Sequence, residues 1–125
     1  MADYKEMLDR FQRDEIDPAG FRHTDHIGVA YEALMRHGFF KALQIYADGL
    51  MALVEKAGVP EKFNATVTFA YMSAISEQMH RQASVNAAEF ITANPELLSD
   101  DVLGRYSKAR LESDLAKQVA LLPDL

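Results

Sequence analysis

Two histidines stand three residues apart at the start of a helical pattern, and they are the side chains of this sequence best suited to chemistry. The stretch FRHTDHIGVAYEAL, residues 21–34, contains His23 and His26 with Asp25 between them. Two imidazoles at this spacing lie on one face of a helix, so they can reach a common metal ion. A half-buried imidazole with a pKa near neutrality can instead carry a proton in acid–base catalysis.

A metal site built on His23 and His26 lacks an evident third ligand. Stable transition-metal sites have three or four ligands, and this pair supplies only two. Asp25 points to another face of its helix, and Glu77 lies on the side of its helix opposite Asn64. We therefore favour hydrogen-bonded histidines that line a pocket or support the fold, with no cofactor. A divalent transition metal bound by the two histidines is the alternative.

A second set of polar side chains recurs at helical spacing further along the chain. Asn64, Thr68 and Tyr71 stand at i, i+4 and i+7, on the same ridge as the apolar Ile75. A buried polar group without a partner costs about 1–3 kcal/mol, so the simplest arrangement places this ridge against the histidine end of the earlier helix. The sequence thus predicts a pocket with catalytic histidines and a ligand-binding Asn64, Thr68 and Tyr71.

The same residues also have purely structural interpretations. Asn64 could cap its helix, since asparagine favours helix starts. Tyr71 and Tyr31 could be core aromatics whose hydroxyls reach a rim. The sequence contains no serine–histidine–acid spacing, phosphate-binding loop or nucleotide fingerprint, so it identifies no reaction and leaves open whether the protein is an enzyme.

The elements that must position these residues are helices. Apolar residues recur at helical spacing in four long segments, which predict helices over residues 4–13, 24–36, 39–57 and 61–81. A shorter helix over 85–93, a capped turn over 99–106 and a last helix over 107–119 follow. The predicted fold is all-α. It is one compact domain over residues 1–125, a helical bundle with a long central hairpin and shorter C-terminal helices.

Local signals add detail to these helices. Thr24 is the expected N-cap of the second helix, and Gly38 and Gly58 are expected to end the second and third helices. Gly49, inside the third helix, suggests a close helix crossing. On the second helix, His37 joins the two histidines at the apolar stripe. The same pattern places Asp25, Glu32 and Arg36 on the opposite side.

Bulk composition excludes several classes of protein. The chain has 125 residues, 49% hydrophobic and 26% charged, which is typical of one folded domain rather than a disordered chain. It has no cysteine, which excludes disulfides, thiolate metal sites and cysteine nucleophiles. A net charge of −6 with scattered basic residues argues against nucleic-acid binding. A charged N-terminus and the lack of a long apolar run predict a cytoplasmic protein without a membrane segment.

The C-terminal run RYSKARLESDLAK permits two interpretations. Arg110, Asp114 and Lys117 are spaced for ion pairs on the surface of the last helix. Arg105 or Arg110 could instead turn inward and meet an anionic ligand. We favour the surface ion pairs.

Three blocks of the sequence together resemble a group of short bacterial proteins of unassigned function. Members show an F-x-H-x-D-H opening, a central Y-H-E-T-I-T block and a closing Y-S-x-x-x-L-x-S-x-x-A-R with a final P-D, and the likeness covers about residues 20–124. The opening matches at Phe21, His23, Asp25 and His26. The ending matches at the following residues: Tyr106, Ser107, Leu111, Ser113, Ala116, Pro123 and Asp124, with Lys117 in place of arginine.

The centre departs from that pattern in a way that bears on chemistry. Asn64 and Ala65 stand where the His-Glu pair is usual, although members with asparagine there also occur. The resemblance implies that the two histidines and the central block share one site. Asparagine is a poor ligand for transition metals and alanine is none, so the substitution argues against a metal there. The resemblance implies no particular activity.

Three functional hypotheses follow from the sequence. The preferred one is a small-molecule pocket between the second and fourth helices, with His23 or His26 as possible catalysts. The second is a metal protein that uses the two histidines. The third is a helical interaction module, such as a homodimer formed through Phe39, Phe40 and the third helix.

Overall fold

One helix, α2 (His23–Arg36), lies at the centre of the fold and packs against four others. The computed structural model describes residues 2–125, and over this range the chain forms helices and 3-10 turns but no β-strand. The seven α-helices of this range are α1 Tyr4–Gln12, α2 His23–Arg36, α3 Phe39–Lys56, α4 Ala65–Arg81, α5 Ala87–Ala93, α6 Lys108–Leu111 and α7 Asp114–Gln118. Helix α2 contacts α1, α3, α4 and α5. The predicted all-α helical bundle is confirmed.

The core is built from the apolar faces of these helices. Ile27 and Val29 of α2 are buried with Leu8 of α1 and Met72 of α4. Phe90 of α5 completes this core and lies 5.1 Å, between ring centroids, from Tyr31. Burying each of these large side chains contributes about 1.5–3 kcal/mol, so the bundle is held mainly by apolar packing around α2.

Glycine permits two close helix crossings in this bundle. The Phe11 ring of α1 lies so close to Gly49 of α3 that a Cβ there would overlap it, which is the close crossing that the sequence suggested. The Tyr4 ring lies against Gly28 of α2 in the same way, a crossing that was not predicted. Helix α1 is therefore held against both neighbours through aromatic rings seated on glycines.

Several predicted helix boundaries are wrong by a few residues. Helix α2 begins at His23, so its N-cap is Arg22 and not Thr24. The Asp25 carboxylate accepts a hydrogen bond from the Arg22 N–H (2.9 Å) and so closes the start of the helix. Gly38 has a φ of −66° and precedes α3 as its N-cap, so it is not left-handed. Gly58 does have a positive φ, +78°, at the end of α3.

The long hairpin consists of α3 and α4. Residues 61–64, predicted as the start of a continuous helix, instead form the 3-10 turn Pro60–Lys62 and the N-cap of α4. The fixed φ of Pro60 suits the first position of that short turn. Helix α4 therefore begins only at Ala65, and the hairpin connection contributes side chains that a continuous helix would have placed elsewhere.

Glu32 was predicted on the outer side of α2, but it is buried, with 6% of its surface exposed. Burial raises the pKa of its carboxyl, while Lys5 and Arg36 act in the opposite direction. The prediction failed because α1 covers this side of α2, and Arg36 reaches across to Asp9 and to the Lys5 carbonyl. Helix α2 is thus enclosed on more sides than its apolar stripe indicates.

The C-terminal segment is folded back on the bundle and is less helical than predicted. The last helix is divided into α6 and α7, each with a serine N-cap, Ser107 and Ser113. The shorter helix α5 starts at Ala87, after the Asn86 cap, rather than at residue 85. Ser99 caps the 3-10 turn Asp100–Leu103, as expected. Another 3-10 turn, Pro95–Leu98, was not predicted.

Residues 119–125, here called the tail, are held by polar side chains. The buried Thr66 hydroxyl donates to the Val119 carbonyl (2.6 Å) and accepts from the Leu121 N–H (3.0 Å). The Asp124 carboxylate accepts hydrogen bonds from the Ser107 N–H and hydroxyl, which lower its pKa. The Tyr106 hydroxyl donates to the Leu121 carbonyl (2.9 Å). Tyr106, Ser107 and Asp124 of the closing pattern therefore fix the tail.

The predicted surface ion pairs of the last helix are absent from residues 2–125. Arg110 donates through Nε to the Leu122 carbonyl (2.7 Å), and Arg105 donates to the Leu125 carbonyl (3.3 Å). The ion pair in this segment joins Lys108 and Glu112 instead. The pairing failed because the tail offers the two arginines backbone acceptors. No helix within residues 2–125 is both long and apolar enough to cross a bilayer.

Candidate ligand-binding site

A cavity of about 260 Å³ lies between α2, α3 and α4, and we call it the central cavity. Its apolar lining comes from all three helices and the hairpin connection: Ile27, Tyr46, Leu50, Val54, Phe63, Val67 and Ile75. Its polar lining is His23, His26, Lys62, Asn64, Thr68 and Tyr71. The five residues selected from sequence spacing thus line one cavity, with an apolar wall between them.

The exposure of the lining residues defines the floor and the mouth of the central cavity. Ile27, Tyr46, Thr68 and Ile75 are buried and form the floor. His23 and Lys62 are the two lining residues that are exposed, so they mark the mouth. The remaining lining residues are half-buried. A ligand would therefore meet polar side chains on entry and mainly apolar ones at depth.

His26 is held deep in the site by aromatic neighbours. Its Nδ1 lies 3.3 Å from the hydroxyl of Tyr46, and its ring centroid is 4.5 Å from that of Phe21. Burial, together with a smaller effect of the neighbouring His23, lowers the pKa of His26 to about 4, while Asp25 acts in the opposite direction. The ring is therefore neutral at neutral pH, and one of its nitrogens is occupied by Tyr46.

His23 has a different environment from His26. Its ring stands edge-on to Tyr71, with 5.8 Å between centroids, and 6.3 Å from the His26 ring. It is exposed at the mouth, whereas His26 is half-buried. The two histidines thus share one cavity, but His23 is exposed to solvent and His26 is partly shielded from it. This difference suits them to different roles.

Asn64 has the structural role that the sequence offered as an alternative. Its side-chain oxygen accepts from the Val67 N–H (3.0 Å) and caps α4, while its amide nitrogen donates to the Leu111 carbonyl (2.8 Å). The side chain thus joins α4 to α6. Its polar atoms are committed to the fold, and Asn64 shapes the cavity wall more than it offers a free group to a ligand.

Thr68 and Tyr71 are likewise partly committed to backbone groups. The Thr68 hydroxyl donates to the Asn64 carbonyl (2.8 Å), and the Tyr71 hydroxyl donates to the Ser99 carbonyl (3.0 Å). Burial raises the pKa of Tyr71, so its phenol stays protonated. Each hydroxyl oxygen keeps the capacity to accept a hydrogen bond from a ligand.

Few side chains in this structure could serve as metal ligands at the two histidines. Across the described chain, no three histidine, cysteine, aspartate or glutamate side chains lie close enough together to hold an ion. Glu77 is exposed and pairs with Arg81 (2.7 Å). A metal at the two histidines would therefore complete its coordination with water or ligand atoms. Metal binding stays the alternative to the prediction of no cofactor.

Comparison with known proteins supplies no relative. No family model, curated protein or solved structure matches this chain. The resemblance to the short bacterial proteins stays a prediction, and the candidate site rests on its own geometry.

Two residues of this site were not selected from the sequence. Tyr46 belongs to an apolar stripe of α3, and nothing in that stripe indicates that its hydroxyl meets His26. Lys62 fell inside a helix that was predicted to start at residue 61, whereas it belongs to the connection between α3 and α4. Gly58 and Pro60, in the stretch GVPEKFN, are the signal that could have indicated a turn there.

Proposed function

We propose that this protein binds a small organic molecule in the central cavity, and that His23 and His26 are the side chains that act on it. The proposal rests on the convergence of polar side chains on one cavity. Polar residues from two distant segments, each recognised by helical spacing, line one cavity whose floor is mainly apolar. A cleft with an apolar wall and a few converging polar groups is the usual form of a small-molecule site.

The size of the central cavity limits the ligand. An apolar cavity of about 150 Å³ accommodates benzene, and pockets for drug-sized ligands start at about 300 Å³. A cavity of about 260 Å³ lies between these values. We therefore expect a compact metabolite of about ten non-hydrogen atoms.

The two histidines support distinct roles in this proposal. His26 is neutral at neutral pH because of its pKa of about 4, so it can hydrogen-bond a ligand without bringing a charge into the cavity. His23 stands at the mouth, where it can exchange protons with both solvent and ligand. In an enzymatic form of the proposal, His23 transfers the proton and His26 orients the substrate.

The test uses the four histidines of the chain as matched pairs. Amide NMR spectra of the protein would be recorded with a library of small fragments, and binding at the central cavity should shift the resonances of its lining residues. The variant His23→Ala/His26→Ala should lose this binding. The control variant His37→Ala/His80→Ala, which removes two histidines outside the cavity lining, should keep it.

Two outcomes would overturn the proposal. One is fragment binding that maps away from the central cavity, and the other is equal binding by the two double variants. Because His26→Ala removes the partner of Tyr46, the variant His26→Asn would be measured alongside it. Asparagine keeps a polar atom near the position of Nδ1, so it separates loss of the ligand contact from loss of folding.

The proposal includes a cytoplasmic location and needs no metal. The metal alternative is tested by elemental analysis of protein purified without a histidine tag. A content near one transition metal ion per chain, lost in the His23→Ala/His26→Ala variant, would favour that alternative over an organic ligand.

A homodimer is the second candidate function. Phe40 supports it, because 80% of the surface of this residue is exposed although its neighbour Phe39 packs against Phe69 of α4. Light scattering on a size-exclusion column should then give twice the chain mass of 14.0 kDa, and Phe40→Ser should reduce it to one chain mass. A single chain mass at every concentration would remove this candidate.

A further inference from the structure

The charges around the central cavity differ from those of the whole protein. The chain has a net charge of −6, yet no aspartate or glutamate lines the cavity, and Lys62 does. By contrast, the depression beside α1 is lined by Asp3, Glu6 and Asp17. The central cavity is thus a site without negative side chains in a negatively charged protein.

Lys62 is available for an interaction with a ligand. It is exposed at the mouth and takes part in no ion pair or side-chain hydrogen bond among residues 2–125. Its neighbour Glu61 lines a different depression, together with Lys117. Asp25 and Asp100 act through space on His26 and Tyr71, but neither lines the cavity. Lys62 is therefore the one lysine of the lining, which contains no arginine, aspartate or glutamate.

The deeper polar groups do not offer a second full charge. Asn64, Thr68 and Tyr71 donate their hydrogen bonds to backbone carbonyls. Ile27 and Ile75 make the floor beside these groups mainly apolar. A ligand that fits this arrangement has an apolar body and a single negative group at the end that faces the mouth.

We propose that the ligand of the central cavity is a small organic carboxylate, with its apolar body on the floor and its carboxylate paired with the Lys62 ammonium at the mouth. This inference rests on the small-molecule binding proposed above and names the chemical class of the ligand. A primary amine of the same shape would meet a like charge at the mouth. A neutral amide would lose the ion pair but keep the apolar contacts.

The test compares three molecules of one shape: 3-phenylpropanoate, 3-phenylpropanamide and 3-phenylpropylamine. Dissociation constants would be measured by NMR titration of the lining residues. The carboxylate should bind roughly five- to tenfold more tightly than the amide, because a hydrogen bond to a charged group is stronger than a neutral one. The amine should bind most weakly.

The variant Lys62→Gln should reduce binding of the carboxylate to that of the amide and leave the amide unchanged. The control Lys41→Gln makes the same change in net charge on α3, outside the cavity lining, and should keep the wild-type preference. Equal binding of carboxylate and amide, tighter binding of the amine, or an unchanged preference in Lys62→Gln would each overturn the carboxylate assignment.

The two proposals fail in different ways. If the amide or the amine shifts the resonances of the lining residues and the carboxylate binds no more tightly, small-molecule binding stands and the ligand class is wrong. If none of the three molecules shifts these resonances at millimolar concentration, the carboxylate assignment is wrong. The fragment library then tests the proposed function separately.

Discussion

The hydroxyl of Tyr46 on α3 lies 3.3 Å from Nδ1 of His26 on α2. Tyr46 is buried, with 4% of its surface exposed, and burial raises the pKa of its phenol, while His26 is half-buried. The contact fixes the His26 ring at the side of the central cavity. Because His26 lies on α2 and Tyr46 on α3, the protonation of His26 depends on how these two helices pack. The first two predictions test this dependence.

The first prediction concerns stability against pH. Unfolded His26 takes up a proton below its ordinary pKa of 6.5, whereas the folded side chain does so only near 4. Between these values the unfolded state binds more protons, so the free energy of unfolding falls as pH is lowered, by up to about 3 kcal/mol at pH 4. Urea unfolding of the wild type and of His26→Asn at pH 7 and pH 4.5 measures this difference.

The carboxylates of the chain titrate in both proteins, so their contribution cancels in that comparison. The gap in unfolding free energy between wild type and His26→Asn should narrow or change sign towards low pH. A gap that is constant from pH 7 to pH 4.5 would show that folding does not lower the pKa of His26.

The second prediction concerns the proton between Tyr46 and His26. A phenol is the better hydrogen-bond donor of the two and a neutral imidazole nitrogen the better acceptor, so we expect Tyr46 to donate and His26 to carry its proton on Nε2. Long-range proton–nitrogen NMR should show an unprotonated Nδ1. Tyr46→Phe should reduce the unfolding free energy by about 1 kcal/mol. A protonated Nδ1 at neutral pH would reverse the assigned direction.

The third prediction separates the two hydrogen bonds of Asn64. Asn64→Ala removes both the cap of α4 and the bond to the Leu111 carbonyl, so it should cost about 2 kcal/mol. Asn64→Ser keeps a capping oxygen and loses only the amide donor, so it should cost about half as much. Chemical denaturation measures both. Equal costs for the two variants would mean that the cap contributes nothing.

The fourth prediction concerns the attachment of the tail. Thr66→Val keeps the shape of the side chain but leaves the Val119 carbonyl and the Leu121 N–H without their partner, which should cost about 1–3 kcal/mol. Carboxypeptidase should then remove tail residues faster than in the wild type. Thr92→Val is the control, because that exposed hydroxyl bonds only within α5, and its effect should stay within about 0.5 kcal/mol. Equal digestion of the two variants would contradict this role.

Helical periodicity was sufficient to predict the long helices and the ridge of α4 that carries Thr68 and Tyr71. Such a pattern records which face of a segment is apolar, and that face must meet another element in any compact fold. Glu32 shows the limit of the pattern. It lies off the stripe of α2, yet α1 buries it, because a central helix is covered on more than one side.

The sequence by itself determined the helical class, the four long helices and the polar ridge of Thr68 and Tyr71, since these depend on spacing within one segment. Only the tertiary structure decided that Tyr46 meets His26, that Lys62 stands at the cavity mouth and that Asn64 bonds to Leu111. Each of these relationships joins residues whose positions depend on how helices cross and where a turn ends. The spacing of residues within one segment does not specify the helix crossings or the turn ends, because many crossings are compatible with the same apolar stripe.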